Sequence, residues 1–303
     1  MRIVFFGTPE FAAHSLEKIV NEGFNVVAVI TAPDKPAGRG RQLKSSEVKE
    51  MAVKLNLPVL QPTNLKDPNF LNQFNDLSAD LGVVIAFRML PMAVWSAPKL
   101  GTINLHASLL PNYRGAAPIQ HAIIQGEKVT GVTTFFLKHE IDTGDLIDQQ
   151  EVIIETSETG GSLHDKLMQV GADLMVKSLH KIENLGQNVP TVPQKNLDNL
   201  KTAPKLNREF CKLHSSEAKV AILNKIRGLS PYPCAWIEST WGEMKIFEAE
   251  IVSESEIFIE NSSVFVANKK MYLKCSDGLI EIKSLQIQGK SRMDAKSFIN
   301  GLK

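Results

Sequence analysis

This sequence predicts an α/β fold with a mainly parallel sheet, followed by a smaller β-rich domain. Three observations carry that expectation. Short apolar runs at 2–6, 26–31, 81–87 and 101–107 alternate with stretches of helical spacing, the order of β-α-β units. A run such as 81–87, apolar throughout, suits a strand covered on both faces. Beyond residue 206 the pattern changes to alternating runs separated by short turns, which suits a compact β-rich unit.

The elements follow in order. Residues 2–6 form the first strand, and Pro9 to Asn21 carries Phe11, Leu16, Ile19 and Val20 at helical spacing. Gly7-Thr8-Pro9 lies between them. It lacks the G-x-G-x-x-G spacing of a pyrophosphate cradle. It reads instead as a tight strand-to-helix turn, with Thr8 as N-cap and Pro9 in the first helical position. Strands at 26–31, 81–87 and 101–107 continue the sheet. A helix from about Ser162 to Glu183, with Leu163, Leu167, Val170, Leu174 and Leu179, closes the domain. The expected architecture is Rossmann-like.

Gly186, Pro190, Pro193 and Pro204 stand among polar residues and read as a linker. The expected division is therefore 1–188, a linker at 189–206, and a second domain at 207–303. The second domain should hold one helix, about Ser215 to Arg227. Strands should follow at Ala235–Ile237, Lys245–Val252, Ile257–Ile259, Val264–Ala267, Met271–Lys274 and Leu279–Gln286.

Composition narrows the function classes. A chain of 303 residues with 43% hydrophobic and 22% charged content fits a two-domain globular protein. Cys211, Cys234 and Cys275 are odd in number and widely spaced. They suggest inert thiols in a reducing cytoplasm rather than a disulfide framework. No apolar run approaches a membrane span, and the His and carboxylate spacings imply no metal. The net charge is +1. Residues 205–303 hold 15 of the 34 Lys and Arg and 12 of the 33 Asp and Glu, so they carry +3 and the rest −2. The asymmetry is small for a nucleic-acid binder.

The chemistry concentrates in Asn104-Leu105-His106. The segment alternates like a strand, so Asn104 and His106 project together. One is a neutral hydrogen-bond donor; the other suits proton transfer near neutral pH. About thirty-five residues on, Asp142-Thr143-Gly144-Asp145 offers a carboxylate in a turn. Such a trio fits acyl chemistry, in which an oxyanion forms and a proton moves. Taken singly, N-x-H on a strand and Asp-Thr-Gly-Asp are common structural features. Here they occur in fixed order, joined by Ser108 to Gln120.

INLHASLLP (Ile103 to Pro111) and IDTGD (Ile141 to Asp145) together resemble the folate-dependent formyltransferases. FFGTPEFA (Phe5 to Ala12), PDKPAGRGRQLK (Pro33 to Lys44) and RGAAPIQ (Arg114 to Gln120) are similar to the branch that acts on methionyl initiator tRNA. The match is strongest over residues 2–165 and weaker after about 200.

The resemblance implies an OB-like barrel for the second domain. It implies 10-formyltetrahydrofolate as formyl donor and Asn104, His106 and Asp142 as catalytic residues. Folate would lie against Ile85, Ala86, Phe87 and Arg88, against Ser108, Leu109, Leu110 and Pro111, and near Asp145. Phe87-Arg88 stands where Tyr-Gly is expected, and Ala107 where Gly is expected.

For tRNA, the resemblance points to the basic loop from Asp34 to Lys49, with Lys35, Arg39, Arg41 and Lys44, as a wedge at the acceptor end. Lys44-Ser45-Ser46-Glu47 departs from the expected Pro-containing pattern. In the second domain the candidates are Lys205, Arg208, Lys225, Arg227, Lys269, Lys270 and Lys290. A cytoplasmic monomer is expected. Two other readings remain: a formyltransferase or formate-releasing hydrolase for a smaller substrate, and an RNA-binding protein with an inactive transferase domain.

Overall fold

The computed structural model describes residues 1–37, 42–195, 199–252 and 262–302. The chain divides into two units. One comprises 1–114, 130–152 and 164–201, and the other 115–129, 153–163 and 202–303.

The first unit is built on a seven-stranded sheet. Its strands are β1 (Arg2–Gly7), β2 (Asn25–Ile30), β3 (Val59–Leu60), β4 (Leu81–Ile85), β5 (Thr102–His106), β6 (Val129–Phe136) and β7 (Leu146–Ile153). The order across the sheet is β7-β6-β5-β4-β1-β2-β3. Pairings β1–β2, β1–β4, β2–β3 and β4–β5 are parallel, while β5–β6 is antiparallel. The mainly parallel, Rossmann-like expectation is met. Ile3, Val4, Phe5 and Phe6 are all 0% exposed, as a central strand covered on both faces requires.

Helices α1 (Glu10–Asn21), α2 (Glu47–Lys54), α3 (Pro68–Asp76) and α4 (Met92–Trp95) connect the parallel strands. On one face Phe70 and Phe74 of α3 pack with Val4, Phe6, Ile30 and Val84. The start of α1 differs from expectation. Pro9, not Thr8, is the N-cap, and no side chain caps the helix. The Pro9 carbonyl already accepts from Ala12 and Ala13 N–H, while the Thr8 carbonyl is taken by Val48 N–H. Gly7 serves close packing, since a Cβ there would sit 2.6 Å from the Ala12 Cβ.

The second unit holds α5 (Pro118–Ile124) and the start of a long helix, α6 (Gly160–Leu185), whose later residues count with the first unit. It continues with α7 (Lys219–Leu229). The predicted helix began four residues too early: Lys219 N–H is capped by the Asp277 carboxylate at 2.6 Å, a partner distant in sequence.

Then come β8 (Ala235–Ser239), β9 (Gly242–Ile251), β10 (Val264–Ala267), β11 (Lys270–Cys275), β12 (Gly278–Ile287) and β13 (Met293–Asp294), with a terminal α8 (Ala295–Asn300). The strands pair antiparallel in the order β8-β9-β12-β11-β10, with β13 on β12. Register shifts within β9–β12 curl this sheet. The run expected at Ile257–Ile259 lies outside the described residues. Ile222, Ile226, Met244, Ile246, Leu273 and Ile282 form its core.

Candidate active site

The site begins with the register of β5. Val84 pairs with Asn104 on one side, and Phe135 with Asn104 and Thr133 with His106 on the other. The two candidate side chains share a face at the carboxyl end of the strand. The sheet order reverses direction between β1 and β4, and ligands of open α/β sheets bind beyond strand carboxyl ends at such points. Asn104 is half-buried, and its carboxamide makes no hydrogen bond among the described residues. Its donors are therefore uncommitted.

His106 is 8% exposed. Its Nε2 lies 2.8 Å from the Tyr113 carbonyl oxygen. A carbonyl only accepts, so Nε2 carries the hydrogen and Nδ1 faces the site. Asp142 Oδ2 lies 3.9 Å from that Nδ1. This is ion-pair range rather than hydrogen-bond range. The structure thus brings the three candidate catalytic residues together.

Two features deliver Asp142 there. Asp142 itself adopts φ 55°, a left-handed conformation that Asp tolerates better than most residues. A Cβ at Gly144 would come within 1.5 Å of the Phe136 carbonyl oxygen, so only glycine allows the turn to lie this close to β6. Phe136 N–H donates to the Asp145 carbonyl at 3.0 Å.

The turn after β5 is held from within. Ser108 Oγ donates to the Asn112 carbonyl at 2.7 Å, and the Ser108 carbonyl accepts from Thr133 Oγ1 at 2.6 Å. Leu110 N–H donates to Thr133 Oγ1, and the Leu110 carbonyl accepts from Gln149 Nε2. Ser108 and Leu110 are buried, leaving Leu109 and Pro111 partly accessible. Thr133 and Gln149 carry no local sequence signal, because their role depends on a contact across strands.

Beyond Ile85 the chain turns at Ala86, with φ 46°. Phe87 packs against Phe6. Arg88 extends away and donates to the carbonyls of Pro62 and Thr63. The substituted Arg therefore ties two loops together. Asp145 forms an ion pair with Lys138 at 2.8 Å.

The basic loop is a two-stranded hairpin, Lys35–Ala37 against Gln42–Lys44. Arg39 and Arg41 lie outside the described residues. Lys35 is exposed, and Lys44 is exposed and paired with Glu47 at 3.1 Å. The base of the hairpin is fixed by Lys49 on Asp34 and by Gln61 on Asp34. Those contacts hold the Asp34 carboxyl below its usual range. Ser46 caps α2 by accepting from Lys49 N–H, which gives the Lys44–Glu47 departure a local role.

In the second unit Lys205 is exposed. Arg227 instead donates to the carbonyls of Glu158 and Glu155 and to Asn224. Burial lowers the guanidinium's pKa, with Glu158 opposing. Arg208 pairs with Glu243 and stacks on Trp236.

Two family models match the chain: formyl transferase over residues 1–179, and the formyl transferase C-terminal domain over 205–303. The chain belongs to the formyl transferase family. Within it, the chain is 49% identical to a methionyl-tRNA formyltransferase of Flavobacterium johnsoniae, covering 100% of this chain and 96% of that one. It is 45% identical to the Bacteroides thetaiotaomicron methionyl-tRNA formyltransferase at the same coverage.

Among solved structures, HypX from Aquifex aeolicus in complex with tetrahydrofolic acid superimposes with TM-score 0.64 at 18% identity, covering 99% of this chain and 47% of that one. This formyltransferase thus spans about half the length of HypX. The Helicobacter canadensis N-formyltransferase, solved with folinic acid and dTDP-3-aminofucose, gives TM-score 0.68 at 22% identity, covering 92% and 97%. These likenesses establish the fold.

Among the described residues of this formyltransferase, no group of His, Cys, Asp and Glu could hold a metal ion. No described helix is long and apolar enough to cross a membrane.

Proposed function

We propose that this chain transfers the formyl group of 10-formyltetrahydrofolate to the free amino group of methionyl initiator tRNA, as a cytoplasmic monomer serving translation initiation. The observation that carries the chemistry is the convergence of Asn104, His106 and Asp142 at the carboxyl end of β5, with Asp142 3.9 Å from His106 Nδ1. Full-length identity of 49% to a methionyl-tRNA formyltransferase supports the acceptor.

The amine attacks the formyl carbon, a C–N bond forms, and an oxyanion develops. The bond to folate N10 then breaks. One proton leaves the amine and one arrives at N10, so the transfer is balanced without a covalent enzyme intermediate. The free amide donors of Asn104 would stabilise the oxyanion. His106 would exchange or share a proton through Nδ1, its Nε2 being held by Tyr113. Asp142, 3.9 Å from that Nδ1, would orient the imidazole and help move the proton. Folate would lie along Ile85, Ala86, Phe87 and Arg88, along the turn from Ser108 to Pro111, of which Ser108 and Leu110 are buried, and near Asp145.

For the tRNA, the reading assigns catalysis to residues 1–188 and a holding role to 207–303, joined by 189–206. The 34–49 hairpin would engage the acceptor end through Lys35, Arg39, Arg41 and Lys44. Lys205 would meet phosphate, while Arg227 supports the domain that presents it. The test is to supply the purified protein with 10-formyltetrahydrofolate and three acceptors: methionyl initiator tRNA, methionyl elongator tRNA and a dTDP-amino sugar. Formyl-methionine on the initiator is the expected product. Formylation of the sugar instead would replace this reading with the small-substrate one.

A further inference from the structure

Part of the Pro-containing segment at 189–206 is docked on the catalytic loop. Leu146 and Val192 exchange both backbone hydrogen bonds, at 2.8 and 2.9 Å. Two residues on, Gln194 Nε2 donates to the Asp142 carbonyl at 2.9 Å and to the Gly144 carbonyl at 2.8 Å. Its Oε1 accepts from Arg114 Nε at 3.1 Å and Nη2 at 2.6 Å. Arginine offers no acceptor and a carbonyl no donor, so the partners dictate which end of the amide points where. Both N–H groups are used on the two carbonyls that flank Thr143.

Asp142 stands in a left-handed conformation, φ 55°. A non-glycine residue keeps such a backbone only when its surroundings hold it there. Gly144 is pressed against β6. Gln194 therefore ties together the two carbonyls on either side of Thr143.

We infer that Gln194, oriented by Arg114, is a positioning residue that sets the Asp142 carboxylate against His106. The inference rests on the reading of Asp142 as a catalytic group. Neither Gln194 nor Arg114 needs to touch substrate. These bonds help fix where the loop holds its carboxylate, and a displacement of about 1 Å can cost on the order of 100-fold in rate.

The test is a double-mutant comparison in the full-length protein. Gln194→Met keeps length and removes both donors. Gln194→Glu keeps a partner for Arg114 and sets a carboxylate against two carbonyls. Each should lower kcat for methionyl-tRNA formylation by about 10–100-fold, with KM for tRNA and folate unchanged. In an Asp142→Ala background neither should reduce kcat further, because the positioned group is gone.

An equal loss in both backgrounds, or full activity of Gln194→Met or of Gln194→Glu, overturns the inference. If Gln194→Met fails to fold, Gln194→Glu carries the same comparison. Full activity of Asp142→Ala alone would instead remove the underlying reading of Asp142.

Discussion

His106 donates its Nε2–H to the Tyr113 carbonyl at 2.8 Å, and this bond decides which nitrogen is left to face Asp142. With Nε2 committed, Nδ1 is the nitrogen that faces Asp142. Tyr113 is in turn fixed by its own N–H on the Lys201 carbonyl at 2.6 Å. The Nε2 side of the ring is thus held by backbone groups.

The trio should act as a unit. Asn104→Ala should lower turnover by roughly 10²–10³-fold, as loss of an oxyanion donor does. His106→Ala and Asp142→Ala should lower it by about 10²–10⁴-fold. Double mutants should lose far less than the product of the single effects. Steady-state formylation kinetics check this, with circular dichroism to confirm folding. Any single mutant with near-wild-type turnover drops out of the mechanism.

Gly144→Ala tests the route by which Asp142 reaches the site. The added Cβ would meet the Phe136 carbonyl oxygen at 1.5 Å, so the loop must move off β6. Overpacking of this kind costs about 1–3 kcal/mol, and activity should fall more than stability. Thermal melts beside kinetics provide the readout. An Ala variant that keeps both would mean the loop is not pinned there.

The hairpin should serve the tRNA and not the folate. Joining Ala37 to Gln42 through an Asn-Gly turn removes Arg39 and Arg41 and keeps the paired residues on either side. tRNA formylation efficiency should drop while calorimetric binding of a folate analogue stays constant. A parallel loss of both would assign the hairpin to the folate site or to structure.

Lys205 and Arg227 should separate cleanly. Lys205→Ala should reduce the slope of log affinity against log salt by about 0.7–0.9, one phosphate contact's share. Arg227→Ala should leave that slope alone and lower the melting temperature, because three acceptors lose their donor. The reverse pattern would reassign both residues.

All three cysteines are buried. Burial raises the thiol pKa of each, to about 11 for Cys234 and Cys275. Thiolate is therefore scarce at pH 8, and a thiol reagent should titrate almost none in the native protein and all three after denaturation. Rapid native reaction would show that one of them is reached by solvent.

What could be read from sequence was local. Strand β5 was visible in the alternation of Thr102 to His106, and the curled sheet in runs such as Met271–Lys274. Contacts between distant segments were not visible. Gln194 sits between Pro193 and Lys195 in a stretch that resembles any linker, and only its two carbonyl partners reveal it. Arg227 looked like an ordinary basic residue on a helix, yet its guanidinium is spent on Glu155 and Glu158. Thr8 has the composition of an N-cap, but the Pro9 carbonyl already opens the helix.

The most direct test of the central claim is a single-turnover experiment with enzyme in excess, following labelled formyl from 10-formyltetrahydrofolate onto methionyl initiator tRNA. The account predicts rapid transfer by the wild type and a chemical step slowed at least about 100-fold in His106→Ala, with both substrates still bound. Equal rates for the two proteins, or no formyl-methionine from the wild type, would contradict it.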